Sequence, residues 1–103
     1  DELEKENRIQ EILKHDASLA EKIHAKYPFT KAQIVYAVKY EMAMSVEDIL
    51  ARRIRLLFLD ARLAIELAPM VASIMAPYLE KDKSWEAAEI KSFTQLAVQY
   101  ILK

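Results

Sequence analysis

The chain contains no glycine and no cysteine in its 103 residues. Without cysteine there is no disulfide, no thiolate zinc site and no cysteine nucleophile, and the absence fits a reducing compartment. Without glycine, the phosphate-cradling loops of Rossmann and P-loop folds are excluded within these residues, as are tight Asn-Gly hairpins. Every turn must be made by side chains that resist positive φ. Apolar runs are short, as in Leu56-Leu57-Phe58-Leu59, and none approaches the ~20 residues of a membrane-spanning helix. Charge of one sign is also missing: 15 basic residues face 16 acidic ones, for a net charge of −1. No general attraction to nucleic acid or anionic lipid follows, and nucleic acid is not expected as a partner. The start, DELEKENR, has no signal-peptide pattern and no methionine, so a piece of a longer protein is expected.

What is present is apolar and charged in globular proportion, 53% and 30%. The length suits one domain with one core. A chain free of glycine and rich in alanine and leucine is most easily built from helices. The expected fold is all-α, a single-domain bundle of five to six helices, with a first helix over 1–15 whose initial turns fray and a helical domain over 16–103. In the first helix Ile9, Ile12 and Leu13 form a docking stripe at i, i+3, i+4 spacing. Asp16 caps a short helix from Ala17 to Ala25, with Leu19, Ala20 and Ile23 inward. Tyr27-Pro28 ends it, because the residue before proline avoids helical geometry. Thr30 and Gln33 form a capping box and Phe29 and Ile34 a hydrophobic staple. The helix they open carries two stripes, Ile34-Val38-Met42 and Tyr36-Tyr40-Met44.

Ser45 and Asp48 repeat the capping design, with Met44 and Ile49 as staple, for a helix from Val46 to about Arg53 that buries Ile49 and Leu50. A leucine-rich link from Ile54 to Leu59 reaches Asp60, the cap of a long helical pattern through Leu79. Pro69 and Pro77 interrupt that pattern, and a kink near Ala68 or a break into two helices is expected. Lys81-Asp82-Lys83 is a turn. Ser84 caps a last helix, Trp85 to about Leu102, which turns Ile90, Phe93, Leu96, Ala97, Tyr100 and Ile101 to one face.

No catalytic set emerges. His15 and His24, the only histidines, have no zinc spacing. Sequence also places no nucleophile or orienting carboxylate beside them. Glu47 and Asp48 suit a first helical turn, where the macrodipole favours negative charge. Glu41 lies between the two stripes, placed to pair with Arg52 or Arg53 if the neighbouring helices pack side by side. The sharpest feature is Arg52, Arg53 and Arg55 set among Ile54, Leu56 and Leu57. They either cap the preceding helix and pair within the chain or face an anionic surface with their bidentate forks. Three arginines without basic surroundings argue against a nucleic-acid platform, and the aromatics are dispersed at core spacing.

The stretch from Tyr27 to Arg62, YPFTKAQIVYAVKYEMAMSVEDILARRIRLLFLDAR, resembles the C-terminal helical domain of the FAD-dependent glycerol-3-phosphate dehydrogenases. The shared features are the Thr30-capped helix, the Tyr40-Glu41 pair, the run Arg52-Arg53-Ile54-Arg55 and the apolar link ending in Asp60. Ala68-Pro69-Met70-Val71 and Ile74-Met75-Ala76 extend the likeness, which covers roughly 16–102. Ile54 stands where a threonine is common, so any bond that hydroxyl made to another domain is absent here. The resemblance implies a parent that oxidises glycerol 3-phosphate to dihydroxyacetone phosphate on FAD and passes electrons to quinone or oxygen. That parent sits on the cytoplasmic face of the membrane as a peripheral protein. The N-terminal portion of the same chain holds FAD and substrate, so no catalytic, cofactor-binding or metal residue is expected here. This domain packs on that body, helping its assembly, with a homo-oligomer as one form that assembly could take. Tyr40, Glu41, Arg52, Arg53 and Arg55 are the interface candidates, and His24 gains a packing or interface role. The rival reading is a free-standing helical interaction module.

Overall fold

Capping explains where the helices begin. In the computed structural model, which describes residues 1–101, five α-helices run as α1 Glu2–His15, α2 Lys31–Tyr40, α3 Leu56–Leu59, α4 Ala61–Tyr78 and α5 Lys83–Ile101. A 3-10 turn, Ala17–Ala20, follows α1, and a π-helical turn, Asp48–Arg53, lies between α2 and α3. A single antiparallel bridge, Lys22 to Thr30, is the only β pairing among the described residues. The all-α, single-domain expectation holds. The predicted end of the last helix at Leu102 lies outside the described residues.

The caps predicted at Thr30 and Asp60 form as expected. Gln33 Oε1 accepts from the Thr30 N–H at 2.7 Å, and Asp60 Oδ1 accepts from the Leu63 N–H at 3.1 Å. Two other expectations near helix starts are corrected. The helix predicted over Ala17–Ala25 is one 3-10 turn, begun by Asp16 Oδ1 accepting from the Ser18 N–H at 3.0 Å. It ends early because the chain after it pairs with the start of α2: the Ile23 N–H donates to Phe29 O at 2.9 Å and the Lys31 N–H to Glu21 O at 3.0 Å. Leu19 and Ile23 are buried as predicted, while Ala20 is exposed. The cap of α5 is Asp82, whose Oδ1 accepts from the Trp85 N–H at 3.0 Å, and not Ser84. A carboxylate at that position also meets the positive end of the helix dipole.

The prolines do not break α4. Pro69 and Pro77 both lie on its solvent side, while Ala64, Ala68, Val71, Ala72 and Met75 are buried along the other. Each proline removes one backbone bond, but the apolar stripe is continuous and holds the helix through them. Met42 and Met44, predicted to extend the stripes of α2, fall beyond its end and are exposed.

The main core forms where α4 packs against α2, α3, α5 and the π turn, around Ile34, Ile49, Leu50, Leu56, Met75 and Phe93. A smaller cluster of Ile12, Leu19, Ala32, Val35 and Tyr36 seats α1 and the 3-10 turn on α2. Trp85 is partly buried against the main core. The radius of gyration, 13.4 Å, is close to the ~13 Å of a 100-residue domain with its own core.

Candidate domain interface

The arginine segment is positioned by hydrogen bonds at both ends. α2 stops at Tyr40, and Met42 then takes a left-handed conformation, φ 61°. This lets the Ala43 N–H return to Ala37 O at 3.0 Å. Asp48 and Ser45 cap the next turn: Ser45 Oγ accepts from the Asp48 N–H at 3.0 Å, and Asp48 Oδ2 accepts from the Met44 N–H at 2.9 Å. The Val46 N–H donates to Glu89 Oε1 at 2.8 Å, tying this start to α5 across 43 residues of sequence. The turn is π-helical, since the Ile54 N–H reaches Ile49 O at 2.8 Å, five residues back.

That winding sorts the side chains. Ile49, Leu50, Ala51 and Ile54 face the core, while Arg52 and Arg53 face solvent. Ile54 is only 8% exposed, so the side chain at that position packs inward. A hydroxyl at that position would therefore meet the core, not another domain.

The three arginines do different things. Arg53 pairs with Glu41, Nη1 to Oε2 at 3.8 Å, and its Nη2 lies 3.4 Å from the Glu41 carbonyl oxygen. The predicted Glu41 pair thus forms with Arg53. Arg52 lies 3.9 Å from Asp48 Oδ1 and 4.0 Å from Glu47 Oε2. These separations exceed the 2.7–3.2 Å range of N–H···O bonds, so both guanidiniums are near carboxylates without forming a bidentate fork. Arg55 has no carboxylate partner among the described residues. It is left-handed, φ 61°, and its guanidinium lies 5.3 Å from the centre of the Phe58 ring. Tyr40 is engaged from the other side, 5.2 Å from Tyr36 and 4.5 Å from the Arg8 guanidinium of α1.

A groove of about 170 Å³ opens beside the Glu41–Arg53 pair, lined also by Lys5, Gln33 and Arg52. A second of about 220 Å³ lies on the other side, against Met42 and Asp48. Both are smaller than the ~300–1,000 Å³ of sites that enclose a ligand. With no glycine to let backbone approach a pyrophosphate, these residues do not fit a flavin dinucleotide. No group of three or more metal-ligating side chains occurs among the described residues. His24 Nδ1 accepts from the Lys26 N–H at 3.1 Å, a turn-closing role.

Sequence reasoning missed Phe58 and Leu59. The run Leu56-Leu57-Phe58-Leu59 reads as uniformly apolar, but α3 buries Leu56 and Leu57 and leaves Phe58 51% and Leu59 63% exposed. The available signal was length: one helical turn cannot bury four consecutive side chains on one side.

Residues 5–86 match the family model of the C-terminal domain of alpha-glycerophosphate oxidase. The chain belongs to this family. A probable mitochondrial glycerol-3-phosphate dehydrogenase of Dictyostelium discoideum is 41% identical over 66 residues, 64% of this chain and 10% of that protein. The mitochondrial glycerol-3-phosphate dehydrogenase of Schizosaccharomyces pombe is 39% identical over 74 residues, 72% of this chain and 11% of its own length. Glycerol-3-phosphate dehydrogenase 2 of Mycobacterium bovis is 36% identical over 75 residues, 73% and 12%. The chain thus spans about a tenth of the length of the curated relatives it matches. No solved structure matches it significantly. No helix among the described residues is long and apolar enough to cross a membrane.

Proposed function

We propose that this chain is the C-terminal accessory domain of an FAD-dependent glycerol-3-phosphate dehydrogenase. The parent oxidises glycerol 3-phosphate to dihydroxyacetone phosphate and passes the electrons to quinone or oxygen. The observation that carries the reading is the family match over residues 5–86, on a stretch that makes up about a tenth of relatives named for this activity. FAD and substrate belong to the preceding portion of the polypeptide. This domain packs on that body and supports its assembly, and alone it is catalytically silent. The parent is peripheral to the membrane on its cytoplasmic face. Tyr40, Glu41, Arg52, Arg53 and Arg55 are the candidates for the contact, because they crowd one short segment whose guanidiniums keep donors to spare.

The test has two arms. The 103-residue chain, purified alone, should carry no flavin absorbance; a flavin that copurifies with it refutes the division of labour. In the full-length enzyme, Arg52→Ala with Arg53→Ala should lower stability or activity while the isolated chain stays helical. The exposed pairs they break are each worth less than about 1 kcal/mol within the domain. A full-length enzyme indifferent to the double change counts against docking through these residues.

A further inference from the structure

We infer that the domain is seated on its parent through the face around α3, with Phe58 and Leu59 as apolar anchors and Arg55 as the ion that receives a carboxylate. The occupant is a carboxylate-bearing apolar surface on the preceding portion of the same polypeptide. This deepens the proposed accessory role and rests on it.

Three observations converge on this face. It is apolar and uncovered: Phe58 and Leu59 are more than half exposed, and Phe58 packs edge-on against Tyr100 at 5.4 Å, which fixes its ring. It is also short of negative charge. Arg55 has no carboxylate partner among the described residues, and the nearby Asp60 is engaged by the Lys26 ammonium at 4.0 Å. Asp60 also caps α4. Arg52 and Arg53, by contrast, sit beside carboxylates of their own chain. Finally, Arg55 occupies left-handed backbone, φ 61°, which disfavours any residue with a β-carbon. That conformation lays its side chain over the Phe58 ring.

An arginine and an aromatic ring held together in an apolar surround is the composition of an interface anchor. The occupant follows from charge and from length. A patch with an unanswered guanidinium, Arg55, takes an acidic partner, and about nine tenths of the relatives' length lies outside the matched stretch.

The experiment uses the full-length polypeptide with one introduced thiol at a time, Leu59→Cys or Met42→Cys. Thiol-alkylation rates at the resulting peptides are read by mass spectrometry and normalised to the same peptide in denaturant. The stretch has no cysteine of its own. Both positions are exposed in the domain, Leu59 at 63% and Met42 at 83%, so folding of the domain alone protects neither strongly. The expected result is protection of Leu59→Cys by tenfold or more, released when Arg55→Glu is added. Protection at Met42→Cys but not at Leu59→Cys overturns this seat and leaves docking through Glu41 and Arg53 standing. Protection at neither site overturns both this seat and docking around Glu41 and Arg53. Protection that fades on dilution assigns the face to a second copy of the chain, and protection indifferent to Arg55→Glu removes the carboxylate; either overturns the inference.

Discussion

Glu80 is the most informative residue to change to glycine. It closes α4 in left-handed backbone, φ 57°, where the Lys81 N–H returns to Ala76 O at 2.9 Å and the Leu79 N–H to Met75 O at 3.1 Å. Helices commonly end this way, with glycine in the left-handed position, and this chain has no glycine to use. A residue with a β-carbon loses about 1–2 kcal/mol there. Glycine relieves that strain but also loosens the unfolded chain, by about 0.4–1 kcal/mol. The expected net gain for Glu80→Gly is about 0.5–1 kcal/mol. Unfolding entropy near 2.1 cal/mol/K per residue converts this to a rise in Tm of about 2–5 °C. Glu80→Ala keeps the left-handed strain while removing a negative charge from the negative end of the helix dipole, so the difference between the two variants isolates the backbone term. Thermal unfolding followed by circular dichroism and urea titration both read it. A glycine variant no more stable than the alanine variant would refute the strain argument.

Glu89→Ala removes the acceptor of the buried Val46 N–H, and a loss of about 1–3 kcal/mol is expected in urea titration; a loss under about 0.5 kcal/mol would mean the bond does not tie the arginine segment to α5. Ile54→Thr places a hydroxyl in the core, with an expected loss of about 1–3 kcal/mol in the isolated chain, whereas an unchanged midpoint would show that position 54 is not packed inward. Pro69→Ala restores a backbone donor facing the Ile65 carbonyl in mid-helix, so Tm should rise, by an amount equivalent to about 1–3 kcal/mol; no rise means that the helix already accommodates the ring without loss. Arg53→Ala should change the isolated chain by less than about 1 kcal/mol, because its pair with Glu41 is long and solvated, and a larger effect would make that pair a structural lock.

Local signals were legible at most positions where one side chain sets one backbone bond. Thr30 with Gln33, Ser45 with Asp48, and Asp60 are caps that sequence spacing alone identifies, and each forms. A Glu41 pair was legible only as a choice between Arg52 and Arg53, conditional on the helices packing side by side, and the structure forms it with Arg53. The left-handed turns at Met42, Arg55 and Glu80 were not. Glycine is the usual marker of such turns, and a chain without it gives no local sign of where they fall. The cap of α5 failed for a related reason: Asp82 and Ser84 are both good caps two residues apart, and only the turn closed by Glu80 decides between them. Continuity of α4 was hidden because the proline rule is local, while the stripe from Ala64 to Met75 that overrides it is tertiary.

The winding of a single turn explains why three arginines can sit in this core-forming stretch. In a regular α-helix, positions four apart share a face. Ile49 faces the core, so regular winding would turn Arg53 inward after it. The π bond from Ile54 to Ile49 moves that inward position one residue on, so an isoleucine enters the core and Arg53 swings to Glu41. The left-handed Arg55 then stops the turn and redirects the chain, sending Leu56 and Leu57 inward and Phe58 and Leu59 out. The wide turn and the strained residue are thus two halves of one device. Together they seat Ile54 while dividing the guanidiniums into two that lie beside the domain's own carboxylates and one laid over the Phe58 ring.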